Sequence, residues 1–302
     1  MLLPLSQPSS PVRIAVLGTG RAGRARIAAI GATNRAVLAG CESLRSGCAS
    51  TLIADNNVDA VIVCAENARH AELTSDALQA GKDVAVEFPL ALSARSCRQL
   101  HELATAHRRI LHVEVIGLLT AGYAQWRDWA GGAGSRGLRV ESRFRGGAYR
   151  WVADEIEAGR VGQLAVGRLH LLQDSFGPLR LVSVKGTASA QGYRLDAFLR
   201  GLADERIVVT EERRPEYVRG YELLARSGDR QFSMPRARRD EGLFGRDLAI
   251  FLDRVGTRRD GERRGQAARH VDREDVVAVA QLAEAISEGW LASVGRGGTE
   301  PG

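Results

Sequence analysis

Apolar positions in the first 120 residues form short runs that alternate with segments of helical spacing. The runs lie at 12–17, 36–41, 58–64, 84–87 and 110–115, and the helical segments at 23–30, 68–80 and 93–107. Short, largely apolar runs of this kind are typical of buried parallel strands. Their alternation with helices predicts a doubly wound parallel sheet of the Rossmann type. Ser93 is the expected N-cap of the third helix, and residues 42–57 are expected to be poor in helix.

The pattern changes after residue 120, where longer strands carry polar residues at alternate positions. These strands are expected at 138–144, 179–185, 193–199, 206–211 and 217–226, with helices near 160–175, 243–255 and 273–292. Alternation of this kind is typical of antiparallel sheets with one solvated face. The sequence therefore predicts a loose leader (1–11), a dinucleotide-binding domain (12–120) and an α+β domain with a largely antiparallel sheet (121–295). The last helix is a candidate to pack back on the first domain.

Composition narrows the class of protein. The chain has 302 residues, of which 44% are hydrophobic and 26% charged, as expected for a globular protein. The net charge of +6 comes almost entirely from arginine, since Lys82 and Lys185 are the only lysines. No basic run is interleaved with aromatic residues, so nucleic-acid binding is not expected. No apolar run reaches the roughly 18 residues of a membrane span.

The four cysteines favour a reducing, cytoplasmic compartment. They are Cys41, Cys48, Cys64 and Cys97, with no Cys-x-x-Cys pair and no histidine at zinc-ligand spacing. Neither a disulfide framework nor a metal site is therefore predicted.

A glycine-rich turn follows the first strand and opens the first helix. Its residues are Gly18, Thr19, Gly20, Arg21, Ala22 and Gly23. In a G-x-G-x-x-G turn the first glycine allows the tight turn and the second lets the backbone approach a pyrophosphate. The third allows the helix to pack closely on the strand. The context of strand, turn and helix predicts a site for NADH or NADPH.

The end of the second strand bears on the choice of dinucleotide. Glu42 stands 19 residues after Gly23, where an acid holds the ribose hydroxyls of NAD. Ser43 and Arg45 follow and could instead hold the 2′-phosphate of NADP. The structural alternative is that Glu42 is a solvated loop acid, which is the less favoured interpretation.

Three further segments carry a resemblance to a known family. They are residues 57–70, which end in Asn67-Ala68-Arg69-His70, then 77–84, and then 87–93, which begin Glu87-Phe88-Pro89. Together they resemble the glucose-fructose oxidoreductase and inositol dehydrogenase superfamily. The resemblance implies that the cofactor contacts Ala65, Glu66, Asn67, His70, Glu87 and Phe88. Sugar dehydrogenases of this superfamily have Glu-Lys-Pro, and the lysine carries a proton. Phe88 cannot do so, which disfavours oxidation of a secondary alcohol.

The biliverdin reductase family, a branch without that lysine, is similar in more detail. It has Glu-Tyr-Pro at this point and a strand like Leu111-His112-Val113-Glu114, and the segment 242–247 resembles another of its motifs. This resemblance implies a substrate-side role for Arg168, which could position a propionate or supply a proton. His112 and Glu114 are further catalytic candidates, because residues that alternate on one strand face could point together into the cleft. The chain departs from that family at Phe88, Val115 and Gly117, where the family has Tyr, His and Glu.

Each candidate residue also has a structural interpretation. His70 is equally well explained as a structural contact at a helix start. His112 and Glu114 alternate on one strand face and could be a satisfied buried pair instead of a catalytic one. Arg168 could be one surface arginine among many. Glu87 ends a buried strand, where an acid requires a partner, and this favours a role at the cofactor–substrate boundary.

The leading hypothesis is an NAD(P)H-dependent reductase, similar to biliverdin reductase, that delivers hydride to a conjugated, anionic small molecule. One alternative is an imine or thiazoline reductase of natural-product biosynthesis. Another is a nucleotide-binding regulator or pseudoenzyme, suggested by the lost Tyr, His and Glu. The exposed antiparallel sheet leaves a homodimer open, and no membrane or nucleic-acid partner is expected.

Overall fold

The chain folds into two units, each built around one sheet. The computed structural model describes residues 10–43, 49–132, 137–189, 192–238, 241–260 and 270–296. The first unit comprises the chain up to Leu90 together with residues 99–114 and 242–270. The second unit comprises residues 91–98, 115–241 and the chain from Val271 onward. Arg45 lies outside the described residues.

The first unit contains a five-stranded parallel sheet in the order β2-β1-β3-β4-β5. Its strands are β1 (Val12–Leu17), β2 (Ala36–Glu42), β3 (Ala60–Val63), β4 (Asp83–Val86) and β5 (Leu111–Val113). The connecting helices are α1 (Arg21–Gly31), α2 (Ala49–Ala54), α3 (Asn67–Gln79) and α4 (Ala94–Ala106). The doubly wound parallel sheet is confirmed. Ser93 caps α4 as expected, because its Oγ accepts a hydrogen bond from the Ser96 amide at 3.1 Å. The short helix α2 lies in the stretch that was expected to be poor in helix.

Helix α8 (Leu243–Asp260) packs in the first unit, although it follows the second sheet in the chain. Leu248, Phe251 and Val255 on one face of α8 share a buried cluster with Ile14 and Ile62 of the parallel sheet. The predicted domain boundary at residue 120 therefore differs from the structure, in which the chain returns to the first unit. The physical reason is the apolar face of α8, which needs a partner surface.

The second unit contains a six-stranded sheet in the order β11-β10-β6-β9-β8-β7. Its strands are β6 (Arg139–Gly146), β7 (Arg180–Ser189), β8 (Gly192–Arg200), β9 (Arg206–Arg213), β10 (Gly220–Ser227) and β11 (Arg230–Ser233). All neighbouring strands are antiparallel except β6 and β9, which are parallel, so the largely antiparallel sheet is confirmed. Its helices are α5 (Ala121–Gly132), α6 (Arg150–Glu157), α7 (Val166–Phe176) and α9 (Arg273–Arg296). The sequence pattern did not predict α5, α6 or β11.

The last helix, α9, belongs to the second unit and packs on its sheet. A Cβ at Gly186 of β7 would lie 2.3 Å from Trp290, and one at Gly289 would lie 2.7 Å from Val184. These two glycines therefore allow the helix and the strand to approach closely. None of the helices in the described part of the chain is long and apolar enough to cross a membrane.

Candidate functional site

The glycine turn has the geometry of a dinucleotide cradle. Gly18 has φ +102°, and a Cβ there would lie 2.4 Å from the Cys64 carbonyl oxygen. A Cβ at Gly23 would lie 1.8 Å from the Gly18 carbonyl oxygen, so the third glycine is required for α1 to pack on the turn. At Gly20, by contrast, a Cβ would meet no atom within 4 Å. Gly20 therefore leaves open space beside the turn, as a bound pyrophosphate requires.

The N-terminus of α1 is free to bind an anion. Gly20 is its N-cap, no side chain caps it, and its first turn holds no acidic residue. Arg21 is exposed at the first position of the helix, and Arg24 donates a hydrogen bond to the Thr19 carbonyl oxygen at 3.1 Å. The free amide groups and the helix dipole favour a phosphate at this end. The residues present therefore fit a dinucleotide.

Glu42 lies beside the glycine turn. It ends β2 opposite Leu17 of β1, its backbone carbonyl accepts a hydrogen bond from the Gly18 amide at 2.8 Å, and the residue is buried. Ser43, next in the chain, is exposed. A carboxylate next to the turn favours ribose hydroxyls over a 2′-phosphate, because two anions would repel each other.

The loops after β3 and β4 are tied together by His70. Its Nδ1 lies 2.7 Å from the Pro89 carbonyl oxygen and its Nε2 lies 3.0 Å from the Ala65 carbonyl oxygen. The ring is buried, so its observed role is to hold two loops at the end of the sheet. Glu66 is exposed at the N-cap of α3, and Phe88 is 36% exposed.

Two carboxyl groups meet at the same end of the sheet. Glu87 follows β4 and Glu114 follows β5, and their side chains are hydrogen-bonded to each other. Burial and the charge of Glu87 raise the pKa of Glu114 well above its usual value. The raised pKa favours the protonated form of Glu114, which can donate in the hydrogen bond to Glu87. Cys64, after β3, lies beside this pair, and burial raises the pKa of its thiol, so the thiol is also neutral.

Arg26 of α1 is the cation of this cluster. Its Nε donates to Glu87 Oε1 at 3.0 Å and its Nη1 donates to Asp247 Oδ2 of α8 at 2.6 Å. The side chain is 1% exposed. Burial opposes the charged form, but Asp247 and Glu87 outweigh it and raise the pKa of Arg26. The sequence analysis missed Arg26 and Asp247. The available signal was a charged residue on the buried face of each helix.

His112 completes the cluster from β5. Its Nε2 donates to Asp247 Oδ1 at 2.9 Å, and its Nδ1 accepts a hydrogen bond from Arg254 Nη1 at 3.2 Å. A guanidinium can only donate, so this geometry selects the neutral ring with its proton on Nε2. His112 and Glu114 do share one strand face, as predicted. Both ring nitrogens of His112 are engaged, however, so the ring holds Asp247 in place.

Arg168 lies in the second unit, on α7, and is buried. It forms an ion pair with Glu211 of β9, and its Nη1 donates to the Thr210 carbonyl oxygen at 3.3 Å. Arg213 binds the other oxygen of Glu211 at 2.5 Å. The guanidinium carbons of Arg168 and Arg213 lie 5.0 and 4.4 Å from the centre of the Phe144 ring. Two cations thus share one carboxylate, and the cluster carries excess positive charge.

A further group that the sequence analysis missed is His170, two residues after Arg168 on α7. It is buried, and burial lowers its pKa to about 4. It is therefore neutral at physiological pH. A histidine on the buried face of a helix was the only sequence signal.

A cavity of about 480 Å³ lies on the other face of the second sheet. Its charged lining residues pair with one another: Arg194 lies 2.7 Å from Asp196, and Arg145 lies 3.7 Å from Glu212. Paired charges of this kind are typical of a solvated sheet face.

The comparisons with known proteins agree with this geometry. Residues 39–115 match the family model described as an oxidoreductase family with an NAD-binding Rossmann fold. The chain is 31% identical to biliverdin reductase A of Mus musculus over 193 residues, which are 59% of this chain and 62% of that protein. It is 32% identical to an inositol 2-dehydrogenase of Agrobacterium fabrum over 134 residues, which are 37% of this chain and 39% of that protein.

The fold has a close counterpart among solved structures. Biliverdin reductase of Synechocystis sp. PCC 6803, in complex with biliverdin and NADP+, superposes with a TM-score of 0.76 at 22% identity. The superposition covers 93% of this chain and 99% of that one. The resemblance drawn from the sequence motifs is thus confirmed, and the first sheet is identified as an NAD-binding Rossmann fold. The match with this chain covers less than two thirds of the length of mouse biliverdin reductase A.

Proposed function

We propose that this chain is an NAD(P)H-dependent reductase that acts on a conjugated, anionic small molecule of the bilin type. The observation that carries the proposal is the hydrogen-bonded Glu87–Glu114 pair, in which burial and the neighbouring carboxyl group raise the pKa of Glu114 well above its usual value. Reduction of a conjugated system needs a hydride at carbon and a proton at a basic atom of the substrate. Similarity to biliverdin reductases in sequence and in fold supports the same choice.

Different residues would bind the cofactor and supply the proton. The turn Gly18–Gly23 and the N-terminus of α1 would hold the pyrophosphate, and Glu42 the adenosine ribose. The reduced nicotinamide supplies the hydride when it is bound. Glu114 gives its proton to a substrate nitrogen and becomes a carboxylate, so that the two added electrons and the added proton are both accounted for.

Phe88 and Glu114 together favour reduction over alcohol oxidation. A dehydrogenase needs a base that accepts the alcohol proton, and Phe88 offers none. The raised pKa of Glu114 favours its protonated form, so it is suited to donate a proton instead of accepting one. For Arg168 we propose substrate binding and not proton donation, because its guanidinium is ion-paired with Glu211 and remains charged.

The experiment is a set of parallel absorbance assays with NADH or NADPH as donor. With biliverdin, we expect loss of the long-wavelength band and growth of the yellow bilirubin band. Imines, thiazolines and, with NAD+, inositol serve as competing substrates. The matched variant Glu114→Gln keeps the side-chain volume but removes the acid, and should lower kcat by about 100-fold. Oxidation of inositol without reduction of biliverdin would refute the proposal.

The cofactor preference follows from Glu42. We propose that NADH is preferred, because a buried carboxylate beside the turn repels a 2′-phosphate. The ratio of kcat/KM values for NADH and NADPH tests this, and a ratio in favour of NADPH would contradict it.

A further inference from the structure

Arg26 occupies a position that cofactor binding does not require. It lies on the buried face of α1 with Gly23 and Ile30, a face that otherwise packs on apolar residues. Burying a guanidinium is costly unless its donors are met by charged acceptors. Here Glu87 and Asp247 meet them at 3.0 and 2.6 Å. Arg26 therefore places a paired cation between the end of β4 and helix α8.

Asp247 is held in turn by a second set of contacts. His112 Nε2 donates to Asp247 Oδ1, the oxygen that Arg26 does not contact, at 2.9 Å. Arg254 Nη1 donates to Nδ1 of the same ring at 3.2 Å. Burial opposes the charged form of Asp247, but His112 and Arg26 lower its pKa, so it remains a carboxylate. Asp247 thus has little freedom to move, and it fixes the direction of the Arg26 side chain.

The charges of the cluster balance only when Glu114 is protonated. Arg26 and Arg254 contribute two positive charges, and Glu87 and Asp247 contribute two negative charges. His112 and Cys64 are neutral. Loss of the Glu114 proton leaves one net negative charge in a buried site. Glu114 is 1% exposed, so this charge is not screened by water.

We propose that Arg26, seated on Asp247, is a positioning residue that holds Glu87 in an ion pair and directs it at Glu114. Glu114 is then loaded with a proton before each turnover, and the cation offsets the negative charge that appears when the proton leaves. This inference rests on the proposed reductase function. In this proposal Arg26 acts through Glu87, to which it donates a hydrogen bond at 3.0 Å.

Arg35→Met is the matched control for Arg26→Met. Arg35 also forms an ion pair with α8, at 2.6 Å from Asp253, but both side chains are about half exposed. We would compare Arg26→Met, Arg26→Lys and Asp247→Asn with this control. The readouts are kcat, KM, the pH profile of kcat, and the infrared carbonyl band of protonated carboxylic acids. Glu114→Gln identifies the Glu114 band by its disappearance.

Removing the cation should raise the pKa of Glu114 further, because the charge of Arg26 lowers it. Activity requires protonated Glu114 and is lost as the pH rises through that pKa. In Arg26→Met we therefore expect kcat to fall about tenfold or more, with the loss of activity shifted to higher pH and KM for the dinucleotide unchanged. A second carboxylic-acid band, from Glu87, should appear, and it should be absent in Arg26→Met/Glu87→Gln. Arg26→Lys should show a smaller change, and Arg35→Met none.

The infrared measurement separates the two levels of the proposal. If the wild type reduces no conjugated substrate but the bands change as expected, the proposed function fails and the role of Arg26 in the carboxyl pair stands. If folded Arg26→Met retains the wild-type pH profile and a single band, the inference is wrong. If Arg26→Met does not fold, Arg26→Lys and Asp247→Asn test the inference instead. A wild-type pH profile and a wild-type band position in both variants would overturn the proposed role of Arg26.

Discussion

Alanine substitutions at Gly20 and Gly23 should affect different properties, although both glycines belong to the same turn. Gly20→Ala should weaken cofactor binding, and Gly23→Ala should lower the stability of the fold. A methyl group at Gly20 would meet nothing within 4 Å, and the backbone there has φ −64° and ψ −163°, which alanine adopts without strain. A methyl group at Gly23 would lie 1.8 Å from the Gly18 carbonyl oxygen. Because that oxygen belongs to the backbone, the clash cannot be relieved by rotating a side chain.

The two magnitudes follow from these distances. Gly20→Ala should change the free energy of unfolding by no more than about 0.5 kcal/mol. It should nevertheless fill the space that the dinucleotide needs and cost at least one charge-assisted hydrogen bond. At about 1.5–3 kcal/mol for such a bond, Kd for NADH should rise about ten- to 150-fold. Gly23→Ala should destabilise the first unit by about 3 kcal/mol through overpacking.

Two assays measure the two effects separately. Urea denaturation of the free protein gives the free energy of unfolding, and titration calorimetry with NADH gives Kd at a temperature where both variants are folded. Gly31→Ala is a matched control, because a Cβ there also meets nothing within 4 Å and the residue ends α1 away from the turn. Wild-type affinity in Gly20→Ala, or wild-type stability in Gly23→Ala, would refute this account of the turn.

Three further predictions concern single side chains. Glu42→Ser should shift the kcat/KM ratio toward NADPH, because it removes the anion beside the turn; an unchanged ratio would separate Glu42 from cofactor selection. His170 has a folded-state pKa of about 4, below its unfolded value, so stability should fall as the pH drops from about 6.5 to 4. His170→Gln should reduce that slope in urea denaturation series, and an identical slope would contradict it. Glu211→Gln should cost about 3–5 kcal/mol of stability, because it leaves the cations of Arg168 and Arg213 buried together without a carboxylate. Adding Arg213→Met should recover part of that loss, whereas additive losses would argue against a shared carboxylate.

Local sequence pattern was sufficient for the sheet of the first unit and for the glycine turn. Strands β1, β3, β4 and β5 are short, mostly apolar and buried. The glycines occupy positions where a side chain has no room or where a ligand needs the space. Both properties are set by neighbours in the chain. The N-cap at Ser93 was predictable for the same reason.

The position of α8 and α9 was not predictable in this way. Each helix has an apolar face, and pattern alone does not say which sheet that face will cover. The small residues Gly186 and Gly289 let α9 approach β7, and the apolar face of α8 completes the core of the first unit. These are matters of shape between segments that lie far apart in sequence.

By itself, the sequence determined that a Rossmann sheet with a dinucleotide turn is present, that Phe88 replaces a proton carrier, and that Glu87, His112 and Glu114 end or occupy strands of that sheet. Only the tertiary structure decided which partners these three side chains have. Arg26 and Asp247 are separated by 221 residues and meet at 2.6 Å. The proton on Glu114 depends on burial and on the charges around it, and those quantities exist only when distant segments have packed together.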